Sequence, residues 1–426
     1  MTKIVVPCAV PSSASPPATA PHVVIASARA YTIFIVAGEH SGDALGAKLM
    51  SALNARLPGR VRYLGVGGDL MEREGLISQF PLADVAVMGI SAIIARLPKL
   101  VARVYQTVNA AISAEPDVVV IIDSPEFTHA IAKRIRRRRP AIPIINYVSP
   151  TIWAWRPGRA RKMARYVDHV LALLPFEPAA HKALGGPPCT YVGHPLVERL
   201  PWLAGLDAAP FIAKHELDAT RPILLVLPGS RRSEVERLLA DFGQAVSLLA
   251  QRRPGIQVII PAMPNVRALI EEKIAAWPKH VGKEARTPVI FAGDDETAKF
   301  SAFKVATVAL AASGTVTLEL ALTQTPMVVA YKVDAVISTF RHIIKAKTCV
   351  LPNLITGERA VPEFLQEDCT PEKLAAALDT AMCATPERTA QLAELARVPQ
   401  VLALKSGSPS EAAAAVVLDV LARIKN

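Results

Sequence analysis

The sequence has few of the features that mark disulfide-bonded or membrane-spanning proteins. Its five cysteines are scattered without paired spacing, which argues against a disulfide framework and a zinc site and favours a reducing compartment. Aromatic residues make up only 5% of the chain and charged residues 20%. No uninterrupted apolar run reaches the roughly 20 residues that a membrane-spanning helix needs. We therefore do not expect an integral membrane protein.

Hydrophobic residues, by contrast, make up 51% of the 426 residues, which is enough for about two domains with substantial cores. The net charge of +11 predicts attraction to nucleic acid, anionic lipid or a phosphorylated substrate. Basic residues cluster at 134–139 and 156–165, although a solvated helix face explains such runs equally well. Because these clusters lack interleaved aromatic residues for base stacking, we expect no nucleic-acid partner.

Short apolar runs alternate with helical patterns from residue 31 onward. This alternation predicts an α/β protein with two doubly wound lobes, built on parallel sheets that are covered on both faces. We place a disordered extension at 1–30, the lobes at 31–205 and 206–405, and a helix at 406–426 that packs back on the first lobe. The predicted strands are Thr32–Ala37, Arg62–Val66, Asp117–Ile122, Ile142–Val148, Val167–Leu174, Pro222–Leu227, Gln257–Pro261, Val289–Phe291, Val305–Ala312 and Met327–Tyr331.

Two strand-to-helix turns in the second half carry the clearest chemistry. Leu227-Pro228-Gly229-Ser230-Arg231 follows one apolar run, and Ser313–Glu319 follows another. A glycine turn before a helix presents backbone N–H groups to phosphate oxygens, and a guanidinium adds a planar, charged fork. A carboxylate one turn into the helix, as at Glu319, is suited to a ribose diol. The pair predicts a nucleoside diphosphate site that has no P-loop.

One apolar segment, Val85–Val104, does not read as an ordinary sheet-covering helix. Its only charged side chains are the cations Arg96, Lys99 and Arg103, and Pro98 interrupts it. A buried, kinked helix is one interpretation. The other is an amphipathic element that lies on a membrane surface or lines an acyl-chain pocket.

Eight short motifs lie in order between about residue 32 and the C-terminus. They are Ala37–Asp43, Ala86–Gly89, Tyr147–Arg156, Leu173–Glu177, Val192–Pro195, Leu227–Arg231, Ser313–Glu319 and Leu351–Ile355. Together they resemble the lipid-A-disaccharide synthase family, and the block Ser149-Pro150-Thr151-Ile152-Trp153-Ala154-Trp155-Arg156 is the most specific part.

The resemblance implies an inverting glycosyltransferase of the GT-B type, in which two Rossmann-like lobes face a central cleft. Such an enzyme moves 2,3-diacylglucosamine from UDP to the 6-hydroxyl of 2,3-diacylglucosamine 1-phosphate. The products are UDP and a β-1,6-linked disaccharide phosphate on the route to lipid A. The resemblance further implies a homodimer at the cytoplasmic face of the inner membrane.

We expect Asp123, at the end of a buried strand, to be the base that deprotonates the acceptor hydroxyl; the alternative is a helix N-cap. We expect Arg231 to neutralise the leaving diphosphate beside Gly229 and Ser230, unless it only pairs with Glu234 or Glu236. The family resemblance assigns a functional role to Asn353, for which loop capping is the alternative. Three further residues are predicted to line the diphosphate: Ser313, Gly314 and Thr315.

The acceptor is expected to contact residues of the first half. Glu39, Ser41 and Asp43 follow the first strand, although Glu39 is equally suited to capping the helix. Trp153 and Arg156 are assigned to substrate, and core packing is an equally good interpretation for Trp153. We expect no metal and no cofactor, because the acidic pair Asp294-Asp295 has neither histidines nor ligand spacing.

Two other classes remain open from the residues alone. Another two-lobed sugar-nucleotide enzyme, such as a UDP-sugar epimerase or a peptidoglycan-type glycosyltransferase, would share the turns of the second half. It would not share the Trp-Ala-Trp-Arg block or the apolar segment. A basic, non-enzymatic protein that binds membranes or nucleic acid is the third class.

Overall fold

A computed structural model describes residues 30–86, 90–154, 156–277, 287–333 and 348–423, with side chains at 90–95 left out. The predicted extension at 1–30 therefore lies almost wholly outside the described residues, as does Trp155. Within them, two parallel sheets, each with helices between successive strands, carry the fold. The prediction of a two-lobed α/β protein is confirmed.

The first sheet has seven parallel strands in the order β3-β2-β1-β4-β5-β6-β7. The direction of the strand order reverses between β1 and β4. Doubly wound sheets bind their ligands at such a point. The strands are β1 (Tyr31–Ala37), β2 (Val61–Val66), β3 (Leu76–Ser78), β4 (Val118–Ile122), β5 (Ile144–Tyr147), β6 (His169–Ala172) and β7 (Cys189–Tyr191). The helices are α1 (His40–Arg56), α2 (Asp69–Arg73), α3 (Ile90–Ala114), α4 (Pro125–Arg138), α5 (Gly158–Met163) and α6 (Glu177–Ala183).

The second sheet has six parallel strands in the order β10-β9-β8-β11-β12-β13. Its order reverses between β8 and β11, the two strands that precede the predicted phosphate turns. The strands are β8 (Ile223–Leu227), β9 (Gln257–Ala262), β10 (Val289–Ala292), β11 (Val308–Ala312), β12 (Met327–Tyr331) and β13 (Glu363–Leu365). The helices are α9 (Arg232–Arg252), α10 (Arg267–Ala275), α11 (Glu296–Val305), α12 (Val316–Leu322), α13 (Leu351–Thr356), α14 (Pro371–Met382) and α15 (Pro386–Leu402).

The central strands are buried on both faces because both faces carry helices. All five residues of β4, β8 and β11 are buried, as the uninterrupted apolar runs predict. Sequence reasoning missed β3, β7 and β13. Each has three residues and lies at or near a sheet edge, so none has room for a diagnostic apolar run.

The segment between the sheets contains two short helices, α7 (Leu200–Gly205) and α8 (Ala209–Lys214). They pack against the second sheet: Leu203 and Phe211 belong to the same buried cluster as strand residues of β8. Arg199 pairs with Glu296 across this junction, with Nη1 and Oε2 2.6 Å apart.

The last helix, α16 (Pro409–Arg423), packs on the first sheet rather than the second. Its Ala413, Ala414 and Val417 lie in one buried cluster with residues of β1 and α1. The chain therefore passes between the two sheets twice, at the α7–α8 segment and again before α16.

Candidate functional site

A cavity of about 340 Å³ opens at the carboxyl ends of β8 and β11. Both predicted phosphate turns line it, since the two strands are neighbours in the sheet. The predicted residues that line it are Gly229, Ser230, Arg231, Ser313, Gly314, Thr315 and Glu319. The sequence therefore identified seven residues, eighty or more positions apart in two groups, that the fold brings to one cavity.

Gly229 allows the chain to turn from β8 into α9. Its φ of +110° lies in the region that favours glycine. A Cβ at this position would lie 2.5 Å from Oε2 of Glu234 and 2.7 Å from its Cβ. The carboxylate of Glu234 also accepts the backbone N–H of Arg231 at 3.3 Å, at the start of the helix. Glycine thus lets the turn and the first helical turn pack closely.

We expect Gly229→Ala to destabilise the fold by about 1–3 kcal/mol, the usual cost of an L-residue held in a sparsely populated conformation. Urea unfolding measures this change. Gly314→Ala is the matched control in the same cavity wall, because an added Cβ there meets nothing within 4 Å. Equal stability losses in the two variants would contradict the assignment of strain to Gly229.

Backbone donors in both turns point to an anion. Within the described part of the chain, no hydrogen bond engages the N–H groups of Gly229, Ser230, Gly314 or Thr315. Successive unpaired N–H groups at a cavity form a concave anion site. Ser313 differs, because its N–H donates to the Ala330 carbonyl at 3.2 Å and its Oγ donates to the Cys349 carbonyl at 2.7 Å.

Arg231 lines this cavity and also makes the alternative contact. Its Nη1 lies 3.1 Å from Oε1 of Glu234, while the neighbouring Arg232 pairs with Glu236 at 2.8 Å. The Arg231 side chain remains 61% exposed, whereas that of Glu234 is 11% exposed. The ion pair therefore holds one edge of the guanidinium and leaves the rest accessible from the cavity.

Glu319 is not an ordinary exposed helix acid. Its side chain is 16% exposed, and Oε1 lies 3.0 Å from Nζ of Lys299, which also lines the cavity. The ammonium holds the carboxylate in a fixed position at the cavity, which suits it to accept hydrogen bonds from a diol. Lys299 was missed from the sequence, because only the packing of α11 beside α12 brings it to Glu319.

Asn353 does not line this cavity, and its side-chain hydrogen bonds are made to Val361, eight residues later. It is buried, its Nδ2 donates to the Val361 carbonyl at 2.9 Å, and its Oδ1 accepts the Val361 N–H at 3.0 Å. This is the loop-capping geometry that was the alternative interpretation. A role for Asn353 in the reaction stays a prediction.

Asp123 lies at the carboxyl end of β4, where the backbone is unusual. Asp123, Ser124 and the neighbouring Val148 at the end of β5 have φ of +51°, +42° and +76°. Such conformations cost free energy and concentrate at functional sites. The N-cap of α4 is Ser124, and Oδ1 of Asp123 accepts the Ser124 N–H at 2.8 Å. Asp123 is half-buried, and among the described residues its Oδ2 accepts no hydrogen bond.

The three residues predicted after β1 have different positions. Asp43 is buried and accepts the N–H groups of Gly68, Leu70 and Met71 at 2.8–3.2 Å, so its carboxylate caps α2. Glu39 occupies the N-cap position of α1 without a side-chain hydrogen bond to that helix, and it lines a cavity beside Ser124. Ser41 is exposed in the first turn of α1.

Trp153 is partly buried and packs against a buried apolar cluster, which agrees with its alternative interpretation. Its ring meets Phe176 edge to face at 5.2 Å, and its Nε1 donates to Oε1 of Glu177 at 3.3 Å. Oε2 of Glu177 accepts the Leu174 N–H at 3.0 Å. Burial raises the pKa of the Glu177 carboxyl to about 7, against these hydrogen bonds, which lower it.

This pKa makes stability depend on pH. A raised pKa in the folded state means that the folded protein binds the Glu177 proton more tightly than the unfolded chain does. Proton binding therefore stabilises the fold at low pH, and this stabilisation is lost as pH rises from about 4.5 to about 7. We expect the difference in unfolding free energy between wild type and Glu177→Gln to change by about 3 kcal/mol across that range. Urea titrations at pH 4.5 and 8 measure it, with the exposed Glu387→Gln as control. A constant difference would contradict the shift.

Beside Ser124, a second cavity of about 360 Å³ lies between α3 and α4. Its walls are mostly apolar and include Leu97, Val101 and Phe127. Leu97, Val101 and Tyr105 leave between 44% and 51% of their surface exposed, so this part of α3 is not a buried helix. Lys99 and Arg103 instead pair with Asp84, at 2.6 and 2.5 Å. Among the described helices, none is long and apolar enough to cross a bilayer.

The two halves of the predicted site do not share the cavity at Arg231. Its lining, as far as the chain is described, comes from the second lobe and does not include Asp123. Arg156 lies in a third cavity, next to the apolar one. The prediction of a shared interlobe cavity for Asp123 and Arg231 therefore stays a prediction.

Comparison with known proteins decides between the classes left open by the sequence. The family model of the lipid-A-disaccharide synthetases matches residues 33–417. The lipid-A-disaccharide synthase of Nitrobacter hamburgensis is 49% identical over 390 residues, which are 91% of this chain and 95% of that protein. That of Rhodospirillum centenum is 44% identical over 396 residues, 92% and 95% of the two chains.

The chain belongs to the lipid-A-disaccharide synthase family. The recognition made from the Ser-Pro-x-x-Trp-Ala-Trp-Arg block and its companions is thereby confirmed, and the chain is a glycosyltransferase. The epimerase and the non-enzymatic interpretations are wrong.

Solved structures support the same architecture. A glycosyltransferase from Rickettsia africae superposes with a TM-score of 0.56 at 13% identity, over 94% of this chain and all of that one. A UDP-GlcNAc 2-epimerase from Neisseria meningitidis, bound to UDP-GlcNAc, gives 0.56 at 12% identity, over 93% and 100%. The fold is therefore shared between enzymes of different chemistry, and the family membership of this chain rests on its sequence.

Proposed function

We propose that this lipid-A-disaccharide synthase family member transfers 2,3-diacylglucosamine from UDP to the 6-hydroxyl of 2,3-diacylglucosamine 1-phosphate. The reaction inverts the anomeric centre and yields UDP and a β-1,6-linked disaccharide 1-phosphate. The single observation that carries this proposal is the cavity at β8 and β11. It joins unpaired backbone donors, Arg231 and the Lys299–Glu319 pair in one place.

The donor's UDP fits the chemistry of this cavity. We assign the diphosphate to the N–H groups of Gly229, Ser230, Gly314 and Thr315 and to the accessible edge of Arg231. We assign the ribose diol to the Glu319 carboxylate, which Lys299 holds in place. Negative charge grows on the diphosphate as the glycosidic bond breaks, and preorganised donors stabilise such charge without needing to reorient.

The acceptor is assigned to the carboxyl end of β4. Asp123 takes the proton from the 6-hydroxyl while that oxygen bonds to the anomeric carbon of the donor. The bond from this carbon to the distal phosphate oxygen breaks, and its electron pair leaves with UDP. This step requires the acceptor oxygen and the anomeric carbon to approach to about 3 Å, so the acylated sugar of the donor has to reach from the UDP cavity to Asp123.

Acyl chains suit the apolar cavity between α3 and α4, which opens beside Ser124. The exposed apolar residues of α3 extend the same surface outward, and we propose that this face rests on the inner leaflet of the inner membrane, on its cytoplasmic side. The basic character of the chain supports this placement, since each Lys or Arg near an anionic surface contributes about 1 kcal/mol of attraction. Assembly as a homodimer remains a prediction from the family resemblance.

Mass spectrometry of the purified protein's products tests the proposal. Incubation with UDP-2,3-diacylglucosamine and 2,3-diacylglucosamine 1-phosphate should yield UDP and the acylated disaccharide phosphate in equal amounts. The 6-deoxy acceptor is the control, because it lacks the nucleophile and should give no disaccharide. Transfer to a non-acylated sugar, with none to the lipidated acceptor, would overturn the assignment of substrate.

A further inference from the structure

A strongly basic cavity of about 360 Å³ lies between α4 and α5, outside the UDP cavity. Among the residues that the structure describes, four cationic side chains line it and one acidic side chain, that of Glu126. The cationic residues are Lys133, Arg156, Arg159 and Lys162. Such an excess of like charge at one cavity costs electrostatic free energy in the empty protein, and a bound anion relieves that cost.

Contacts within the cavity hold two of the cations in place. Nη2 of Arg159 lies 2.7 Å from Oε1 of Glu126, and Nζ of Lys133 lies 5.2 Å from the centre of the Tyr166 ring. The Glu126 side chain is 81% exposed, so solvent screens this pair and a dianion competes readily with the single carboxylate. Lys133 and Lys162 are both exposed.

The wall behind the cations is neutral. His129 is buried, with its ring nitrogens 3.0 Å from the Tyr166 hydroxyl and 3.1 Å from Oδ1 of Asn146. Burial lowers the pKa of His129 to about 4, and the neighbouring Arg159 adds to this effect. The imidazole is therefore uncharged near neutral pH, and the positive charge of the cavity comes from lysine and arginine.

This basic cavity adjoins the apolar one between α3 and α4. Pro125, Glu126 and Ala130 line both. A ligand that occupies the two together needs an acyl chain at one end and an anionic group at the other. Both cavities open at the first turn of α4, directly after Asp123, so such a ligand would also present a hydroxyl to the proposed base.

We propose that the basic cavity binds the phosphate monoester of the acyl-bearing acceptor. Recognition of this phosphate, together with the acyl chain in the adjacent cavity, selects the acceptor and orients its reactive hydroxyl. The inference rests on the proposed function, and it adds a site for the acceptor phosphate that is separate from the diphosphate site of the second sheet. The same phosphate chemistry occurs in bilayer headgroups, and the test separates the two sources.

The test compares two double variants that remove the same charge from the same helices. Lys133→Gln/Lys162→Gln removes two exposed cations of the cavity. Arg137→Gln/Arg161→Gln removes two exposed cations of α4 and α5 that do not line it. Steady-state rates are measured in uncharged detergent micelles, with the acceptor and with its dephosphorylated analogue, 2,3-diacylglucosamine.

We expect the KM of the cavity variant for the phosphorylated acceptor to rise about 10- to 100-fold, the range of one or two charge-assisted hydrogen bonds. Its UDP affinity should match wild type, and its preference for the phosphorylated acceptor over the analogue should fall by the same factor. The control variant should keep both the KM and the preference.

Three results would overturn the assignment of the phosphate. One is an unchanged acceptor KM in the cavity variant, and another is an equal rise in the control. The third is loss of binding to phosphatidylglycerol vesicles with an unchanged KM in uncharged micelles, which would assign the cavity to bilayer headgroups. If wild type itself makes no disaccharide from either acceptor, the proposed function fails and this inference fails with it.

Discussion

Asp123→Ala should lower kcat by about 100- to 10,000-fold, the range that a positioned general base contributes, while UDP affinity stays close to wild type. The rate falls because the acceptor hydroxyl loses the carboxylate that takes up its proton. UDP affinity is retained because the cavity that carries the phosphate donors is lined by residues of the second sheet. Single-turnover rates and calorimetric titration with UDP measure the two quantities separately.

Asp123→Asn separates the base from the structural contact. The asparagine oxygen keeps the acceptor position for the Ser124 N–H, which lies 2.8 Å from Oδ1 in wild type, but it does not take up a proton. We therefore expect Asp123→Asn to fold like wild type and to be as inactive as the alanine variant. Recovery of the rate in Asp123→Asn would assign the residue to the turn rather than to the chemistry.

Asp117 provides a control at the opposite end of the same strand. Its Oδ2 accepts the Thr32 N–H at 2.8 Å, so its role is to join two strands of the first sheet. Asp117→Ala removes this acceptor, so it should lower the midpoint of urea unfolding and leave kcat of the folded protein near wild type. The reverse pattern is expected at Asp123. Near-normal turnover of Asp123→Ala would mean that the base assignment is wrong.

Sequence alone predicted the fold well where a local pattern exists. The central strands β4, β8 and β11 are fully buried runs, and such runs are unusual outside parallel sheets. Gly229 shows why the turns could also be predicted: a glycine after a buried strand and before a helix has few other uses. The order of strands in the sheets, which makes β8 and β11 neighbours, is what turns two separate motifs into one cavity.

Residues whose role depends on distant packing were beyond the sequence. Lys299 belongs to no motif, and its role follows from its contact with Glu319, which lies twenty residues later in the sequence. Asp43 shows that a local pattern leaves structural contacts unseen: a carboxylate after a strand is typical of a binding turn, and this one also caps α2. For the basic clusters, the sequence left a solvated helix face and attraction to an acidic partner equally open. Several of their members are exposed, whereas Arg159 turns towards Glu126 and lines a cavity.

Arg231→Ala should weaken UDP binding about 10- to 100-fold, since a hydrogen bond to a charged group contributes about 1.5–3 kcal/mol. It should also lower kcat by a further factor of about 100 or more, because the charge on the leaving diphosphate grows in the transition state. Arg231→Lys should recover only part of both losses, since an ammonium lacks the planar fork that binds two oxygens at once. Calorimetry and steady-state rates give the two numbers.

The neighbouring residue Arg232 provides a matched control for this prediction. Arg232 carries the same charge one residue later, its side chain is 72% exposed, and it pairs with Glu236 outside the UDP cavity. Arg232→Ala removes the same charge and breaks a similar exposed ion pair, so it should leave UDP affinity and kcat within about twofold of wild type. If the two variants lose affinity equally, the guanidinium of Arg231 acts through general charge or through its contact with Glu234. In that case, the diphosphate is held by the backbone donors alone.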